Sequence, residues 1–302
     1  MKLRIAIVGD VHDQWECADH DALHSLNVDL VLFVGDFGNE SVEIVRQVAQ
    51  LDLPKAIILG NHDAWYSSTQ TGRENAPYDR TVEDRLQIQL DLLGLTHVGY
   101  GKLEFPQWNL TVVGGRPFTS GGENWIHRRF YRDRYGIHNL TESSDRIIST
   151  LQAAEGQHII LMGHNGPAGL GSKPDDLCGK DWNPIGDAFG DHGDPDLQSA
   201  IVQSKALGLS LSLVTFGHMH HRLRHLTAQR KRFLETPIAP HLNAACVPRI
   251  IHSNKTKTTN RCFTIVTLED GKLQDATIVW LNDLHHIIYQ DPLLIKSPKN
   301  PN

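Results

Sequence analysis

The sequence predicts one α/β domain in which two β-sheets pack together and helices lie outside them. Short apolar runs alternate with amphipathic stretches of helical length through the first two thirds of the chain, and the second half is richer in strands. No internal repeat or low-complexity tract interrupts the 302 residues. Packing two sheets together and covering them with helices buries the apolar faces of all these elements.

The first strands are predicted at Leu3–Val8, Asp29–Val34 and Ala56–Leu59, because these runs are brief, apolar and bounded by Gly or Pro. Helices are predicted between them at Ala18–Leu26 and Ser41–Leu51. The serine that opens the second helix is the expected N-cap. The resulting βαβαβ order is typical of α/β folds.

Two further helices are predicted at Thr81–Leu93, whose leucines repeat on one face, and at Thr141–Ala154. The later apolar runs read as strands at Leu110–Val113, His158–Met162, Leu209–Phe216, Cys262–Leu268 and Ala276–Leu281. We expect the domain to span residues 1–290, followed by a flexible tail at 291–302 that is rich in Pro, Lys and Asn.

Composition excludes several classes of protein. Hydrophobic residues make up 40% and charged residues 21%, as in an ordinary water-soluble domain. No apolar run approaches the roughly 18 to 20 residues of a membrane helix, and the N-terminus has no secretory signal pattern. The four cysteines are far apart without a Cys-x-x-Cys pair, which argues against a disulfide framework and favours a cytoplasmic location.

The net charge of −6 argues against a dedicated nucleic-acid binder, which usually has a basic surface. One basic stretch, residues 222–232, contains four arginines and a lysine. A solvated hairpin face is the favoured interpretation of this stretch, and attraction of an anionic substrate or nucleic acid is the alternative.

Five apolar runs each end in a glycine that is followed directly by a possible metal ligand. The five strand ends are Gly9-Asp10-Val11-His12, Gly35-Asp36, Gly60-Asn61-His62-Asp63, Gly163-His164 and Gly217-His218-Met219-His220. Glycine suits a sharp turn after a strand and lets other backbone approach closely. Because ligands of α/β sheets gather beyond the carboxyl ends of strands, these side chains are expected to converge.

The residue types indicate the kind of ion. Imidazole, carboxylate and amide oxygen without thiolate favour Mn, Fe, Co or Zn, with Mn the first choice. Six or seven ligands are too many for one tetrahedral ion but suit two ions about 3.5–4 Å apart. Such a pair binds phosphoryl oxygens and lowers the pKa of water from 15.7 toward about 7, as hydrolysis of a phosphate ester requires.

The motif series GDxH, GD, GNH[D/E], GH and GHxH resembles that of the calcineurin-like metallophosphoesterase superfamily, over residues 9–220. The resemblance implies an α/β/β/α arrangement of layers and two divalent metal ions. It implies that a hydroxide bridging the metals attacks the phosphorus and that His62 is the general acid, or a charge stabiliser, for the departing oxygen. The implied ligands are Asp10, His12, Asp36 and His220 for the first metal, and Asp36, Asn61, His164 and His218 for the second.

Two departures from the family pattern refine the prediction. A phosphoprotein phosphatase carries Asp-Arg-Gly after its second motif and ends the third in Glu, whereas Asp36 is followed by Phe-Gly-Asn and the third motif ends in Asp63. GNHD and GHMH more closely resemble the phosphodiesterase side of the superfamily. Many relatives also have Asp where this chain has Asn39, so Asn39 or Asp63 is expected to orient His62.

Three residues outside the ligand set are candidates for contact with substrate. Arg116 follows Gly114-Gly115 at a strand end, where a guanidinium could bind a phosphate, although a surface turn is an equal alternative. Trp182 lies in the irregular segment 165–195, which is interpreted either as a lid or as a packed loop. Asn39 is the third.

The leading hypothesis is a phosphodiesterase acting on a cyclic nucleotide or a small nucleotide-like diester. A phosphomonoesterase is the alternative, since the same dimetal centre supports both reactions. A nuclease and a non-catalytic module are less favoured, because of the net charge and the complete ligand set. The expected partner is therefore a small phosphate ester, without a membrane or a nucleic acid, and the sequence does not specify an oligomeric state.

Overall fold

The computed structural model describes residues 1–182, 190–253 and 257–296. The elements of the first half are β1 (Lys2–Val8), α1 (Cys17–Ser25), β2 (Leu30–Phe33), α2 (Val42–Ala49), β3 (Lys55–Ile57), α3 (Trp65–Ser68), α4 (Gln70–Glu74), α5 (Arg85–Leu93), β4 (Lys102–Phe105) and β5 (Leu110–Gly114). Those of the second half are α6 (Arg128–Tyr135), α7 (Leu140–Gln152), β6 (His158–Met162), α8 (Pro195–Ala206), β7 (Leu211–Phe216), β8 (Phe233–Glu235), β9 (Pro240–Asn243), β10 (Ile250–Ser253), β11 (Thr258–Glu269), β12 (Lys272–Leu281) and β13 (Ile287–Ile295).

The first sheet has seven strands, in the order β13-β12-β11-β1-β2-β3, with β10 paired to β11. Strands β1, β2 and β3 run parallel to one another. On its other side β1 is antiparallel to β11, with Lys2 opposite Glu269 and Ile7 opposite Thr264. The N-terminal strand is therefore central, and a strand from the C-terminal part of the chain completes its hydrogen bonding.

The second sheet has six strands, in the order β4-β5-β6-β7-β9-β8. Its four central strands are parallel, and β4 and β8 close the two edges in antiparallel orientation. Parallel central strands place their carboxyl ends at the same edge of the sheet. The loops that follow β6 and β7 consequently lie near each other.

The side chains of β1 point alternately into two apolar cores, and this alternation shows how the layers form. Ile5 and Ile7 belong to the apolar core between the two sheets, whereas Ala6 and Val8 belong to a second core under α1, α2 and α5. Successive residues of a strand point to opposite faces, so one strand contributes to both cores. A third core packs α7 and α8 against the outer face of the second sheet. The predicted α/β/β/α architecture is confirmed.

Several element boundaries differ from the prediction. Residues 291–295 pair with β12 as part of β13, so the predicted flexible tail was wrong for them. Pro292 is tolerated because β13 is an edge strand. The remainder of that tail, 297–302, lies outside the described residues.

One predicted helix start is confirmed and another needs correction. Ser41 occupies the N-cap position of α2, although its hydroxyl donates to the Asp13 carboxylate, with 2.6 Å between the oxygens, and not to the helix backbone. The helix predicted from Thr81 begins at Arg85, where Asp84 accepts a hydrogen bond from the Gln87 amide. Among the described residues, none of the helices combines the length and apolar character that crossing a bilayer requires.

Candidate metal centre

The structure brings the seven predicted ligands together at the carboxyl ends of β1, β2, β3, β6 and β7. Ligand atoms of two groups lie within 4.8 Å of one another, namely those of Asp10, His12 and His220 and those of Asp36, His164 and His218. Asn61 joins the second group, since its Oδ1 lies 3.0 Å from His164 Nε2.

In the first group, three side chains converge through their polar atoms. The Nε2 atoms of His12 and His220 are 3.1 Å apart, and His220 Nε2 lies 3.5 Å from Asp10 Oδ1. His12 Nε2 is also 4.0 Å from that carboxylate oxygen. Two imidazole nitrogens and a carboxylate oxygen thus face one small volume.

In the second group, His164 has a fixed orientation. Its Nδ1 lies 2.7 Å from the carbonyl oxygen of Val34, an interaction in which Nδ1 is the donor. Nε2 is then the nitrogen that faces Asp36 Oδ1, at 3.3 Å. A backbone partner that fixes the tautomer of a histidine is common at metal sites.

Asp36 lies between the two groups. Its Oδ1 is near His164, and its Oδ2 is 3.9 Å from His12 Nε2. The two oxygens of one carboxylate therefore face different groups of ligands. This is the geometry that a bridging carboxylate requires.

The chemistry of the donors fits two divalent cations. Asp10 and Asp36 are each 1% exposed, and within the described residues their ion-pair partners are histidines, with no lysine or arginine among them. Buried carboxylates without a permanent cation are costly unless they are otherwise neutralised. Carboxylate, imidazole and amide oxygen match Mn, Fe, Co or Zn.

The pKa values of these groups reflect both their burial and the charges of their neighbours. Burial alone would raise the pKa of Asp36, but the hydrogen bond and charge of His164 outweigh burial and hold it well below its usual range. Burial alone would lower the pKa of His164, yet Asp36 and Asp10 raise it to about 10. Burial and the neighbouring His164 lower the pKa of His218 to about 3.

Four ligands have left-handed backbone conformations that non-glycine residues rarely adopt. The φ angles are 51° at Asp10, 44° at His12, 56° at Asp36 and 65° at His218. Such conformations concentrate at functional sites, where the surrounding structure holds them. The left-handed conformations of these ligands were not predicted from the sequence, because the pattern indicated unusual backbone at the neighbouring glycines instead.

The motif glycines mainly provide space. A Cβ atom on Gly60 would overlap Asp36 Oδ1, and one on Gly217 would overlap Asp10 Oδ2. Any larger residue at either position would displace a carboxylate of the candidate centre.

His62 lies beside the ligands with its ring held from both sides. Its Nδ1 is 2.6 Å from Asn39 Oδ1, and its ring stacks on Trp65 with centroids 5.7 Å apart. Its backbone amide donates to Asp36 Oδ1 at 2.9 Å. Because an amide oxygen only accepts, Nδ1 is the protonated donor and Nε2 faces away from Asn39.

Asp63 holds the backbone of the candidate site through hydrogen bonds. Its carboxylate accepts three backbone N–H groups, from Gly60 at 2.7 Å, Phe37 at 2.8 Å and Asp36 at 2.9 Å. Burial and the charge of Asp36 raise the pKa of Asp63, and these donors oppose that rise. Asp63 thus joins the loops after β2 and β3, while Asn39 is the residue that contacts the ring of His62.

A cleft opens over the candidate centre. Its lining includes His62, His218, His220, Trp182, His192, Arg222 and Arg224. Trp182 is 40% exposed and packs edge-on against His192, which stacks on His218 with centroids 6.1 Å apart. His192 was not predicted from the sequence, although it lies in the irregular segment 165–195. Residues 183–189 of that loop lie outside the described residues, so the lid interpretation stays a prediction.

Arg116 is not placed to contact a substrate. It is 2% exposed, and its guanidinium binds Asp194 at 2.8 Å and Asp196 at 2.9 Å. Burial alone would lower the pKa of Arg116, but Asp194 and Asp196 together outweigh burial and raise it. The sequence could not show that two aspartates nearly 80 residues later would occupy the guanidinium.

Arg230 also departs from the prediction, since it is buried rather than on a solvated hairpin face. Its Nη1 donates to the carbonyl oxygens of Asp176 and Gly179, both at 2.7 Å, and its Nε donates to that of His220 at 3.0 Å. This side chain connects the irregular loop to the end of β7.

Comparisons with known proteins give a family match and structures of similar fold. A family model described as calcineurin-like phosphoesterase matches residues 3–222. No curated protein sequence matched the chain. The structure of TT1561 from Thermus thermophilus is similar, with 9% identity, a TM-score of 0.50 and coverage of 89% of this chain and 100% of that one. A dimetal phosphatase from Danio rerio has 13% identity, a TM-score of 0.47 and coverage of 97% and 99%.

Proposed function

Because this chain belongs to the calcineurin-like phosphoesterase family and is a dimetal phosphoesterase, we propose that its substrates are phosphodiesters. Cyclic nucleotides and small nucleotide-like diesters are the first candidates. The observation that carries the proposal is the pair of ligand groups that share Asp36, with His62 oriented beside them.

Seven side chains would hold two divalent ions. The proposed ligands are Asp10, His12, Asp36 and His220 for one ion, and Asp36, Asn61, His164 and His218 for the other. When bound, two such ions neutralise phosphoryl oxygens and make water a nucleophile near neutral pH. Manganese is the first ion to test, and iron, zinc and cobalt suit the same donors.

His62 is proposed as the general acid. Its Nδ1 stays bonded to Asn39, so the proton is transferred from Nε2 to the departing ester oxygen. Loss of this proton returns the ring to its neutral form, in which the Asn39 contact is unchanged. Stacking on Trp65 keeps the ring in one orientation through the transfer.

The preference for a diester rests on the motifs. GNHD and GHMH, together with the Phe-Gly-Asn that follows Asp36, differ from the phosphoprotein-phosphatase pattern and resemble phosphodiesterases. The test compares turnover of an aryl phosphodiester and an aryl phosphomonoester by the purified protein with Mn²⁺. Turnover of the monoester that exceeds that of the diester by about tenfold would reject the preference.

A phosphomonoesterase is the second candidate, and one observation favours it. Arg222 and Arg224 line the cleft beside His220, where guanidinium groups could bind the additional charge of a phosphomonoester. In that case Arg224→Gln should raise KM for the aryl monoester more than for the aryl diester. Equal changes in KM for the two substrates would argue against this role.

The proposal also concerns partners and location. A small phosphate ester is favoured over a polynucleotide, because the chain has a net charge of −6. A cytoplasmic location is proposed as well, supported by four free cysteines. Polynucleotide binding that weakens steeply with salt would contradict the first statement and favour a nuclease.

A further inference from the structure

A second cavity, separate from the cleft over the candidate centre, carries an excess of positive charge. Its volume is about 880 Å³ and its lining shares no residue with the cleft. Five arginines and two aspartates line it, in a protein whose net charge is −6. The arginines are Arg73, Arg80, Arg128, Arg129 and Arg134.

These arginines come from three separate segments. Arg73 belongs to α4, Arg80 to the connection that precedes α5, and the other three to α6. Like charges from separate segments repel one another across a shared cavity. An anion bound among these arginines would relieve this repulsion.

Two of the guanidinium groups are held by backbone carbonyl oxygens. Arg73 Nη1 donates to the carbonyl oxygens of Ser67 and Ser68, at 3.2 and 3.1 Å, and Arg128 Nε donates to that of Trp125 at 3.2 Å. Carbonyl oxygens orient a guanidinium without neutralising it. In the part of the chain that the structure describes, neither arginine has a carboxylate as an ion-pair partner, whereas Arg129 pairs with Asp133 at 3.3 Å.

We propose that this cavity binds a small anion that carries two or more phosphate groups. Guanidinium groups bind phosphate oxygens through two parallel N–H donors, and several of them from different directions suit more than one phosphate. Ser67 and Ser68 line the same wall of the cavity. A volume of this size is within the range of sites for small organic ligands.

The site adjoins the proposed general acid through α3. Ser67 and Ser68 line the cavity at one end of this short helix, and Trp65 at its other end stacks on His62. The inference concerns binding only, and it stands even if the proposed phosphodiesterase activity fails.

The test uses the metal-loaded protein and a bisphosphonate in which three carbons join the two phosphonates. A bisphosphonate is chosen because it contains no ester bond that a phosphoesterase could cleave. Binding is measured by isothermal titration calorimetry for the wild type, the double variant Arg73→Gln/Arg128→Gln and the control Arg132→Gln. Arg132 lies on α6 but does not line the cavity. We expect affinity to fall by at least about tenfold in the double variant and to stay unchanged in the control.

A second measurement locates the ligand without any substitution. Phenylglyoxal modifies accessible arginines, and mass spectrometry reports the modified positions. The bisphosphonate should protect Arg73 and Arg128 from modification and leave Arg132 reactive. Equal modification of Arg73 and Arg128 with and without the ligand would overturn the proposal, because a bisphosphonate bound only at the dimetal centre would leave both arginines reactive.

Discussion

At the scale of single residues, an amide, that of Asn39, is the hydrogen-bond partner of the proposed general acid His62. The side-chain oxygen of Asn39 orients the ring at 2.6 Å but carries no formal charge. A carboxylate in the same place would orient the ring equally and would also stabilise its protonated form.

Asn39→Asp should therefore shift the pH dependence of turnover. A general acid works only while it is protonated, so activity is lost as the pH rises. Because the new carboxylate favours the protonated ring, the loss of kcat should move to higher pH. A pH profile of kcat for the two proteins measures the shift, and an alkaline limb that moves to lower pH would contradict the assignment of His62.

His62→Ala should lower turnover and leave metal binding intact. Loss of a positioned general acid typically costs about 10²–10⁴-fold in rate. Metal content by mass spectrometry and kcat on the aryl diester are measured on the same sample. Because His62 also lies within ligand reach of His12 and Asp36, loss of metal in the variant would make it a ligand instead.

Asp36→Asn should weaken the binding of both metals. An amide offers one good donor oxygen, whereas the two carboxylate oxygens of Asp36 face different ligand groups. Metal analysis after gel filtration should find fewer than two ions per chain. Asp13→Asn, a change to an exposed residue bonded to Ser41, is the matched control and should retain both ions.

At the scale of elements, the loops that follow β2 and β3 are held by one side chain. Asp63 accepts backbone N–H groups from Asp36 and Phe37 in one loop and from Gly60 in the other. Both carboxylate oxygens are used, so the loops cannot separate without breaking these bonds.

Asp63→Asn should destabilise the fold even without metal. The amide nitrogen cannot accept, so at least one buried N–H group would lose its acceptor, at a cost of about 1–3 kcal/mol. Urea unfolding in the presence of a chelator measures the change. Asp133→Asn, on the exposed side of α6, should change stability by less than about 0.5 kcal/mol, and equal effects of the two substitutions would reject the role of Asp63.

The elements that the sequence predicted are those with strong apolar patterns. The glycine-ended strands β1, β2, β3, β6 and β7 were predicted, because buried parallel strands have nearly continuous apolar runs. Strands β4, β8, β9, β10 and β13 were missed, since most are short or lie at sheet edges. In β13 the Pro292 signal was interpreted as the start of a tail, although an edge strand accepts proline.

Part of the candidate site could likewise be predicted from the sequence, and part could not. Its ligands could be named because each follows a strand end directly, and the structure brings them together, although their roles stay predictions. The surroundings could not be named, because Arg116, Arg230 and His192 acquire their neighbours only through tertiary contacts. The sequence offers no local pattern for such contacts.

At the scale of the whole molecule, buried neutral histidines limit stability in acid. His241 on β9 is 2% exposed, and burial lowers its pKa to about 4, from 6.5 for a free histidine. Between these values the unfolded chain takes up a proton that the folded protein excludes. The contribution of His241 to stability is therefore complete above pH 6.5 and decreases as the pH falls toward 4.

His241→Gln should reduce the loss of stability in acid. From about pH 7.5 to about pH 5, the wild type should lose about 2 kcal/mol more unfolding free energy than the variant does. Urea unfolding at both pH values measures the difference, and other titrating groups cancel because both proteins contain them. Equal losses would show that His241 is not responsible.

The pairing of β1 with β11 has a consequence for biosynthesis. All proposed ligands precede residue 221, yet the strand that completes the hydrogen bonding of β1 begins at Thr258. During synthesis, every proposed ligand residue therefore leaves the ribosome before β11 is available to complete the first sheet. Until then one edge of β1 lacks its partner, and strands joined over such a distance in sequence pair slowly. This topology therefore predicts that one edge of β1 stays exposed during synthesis until β11 has left the ribosome.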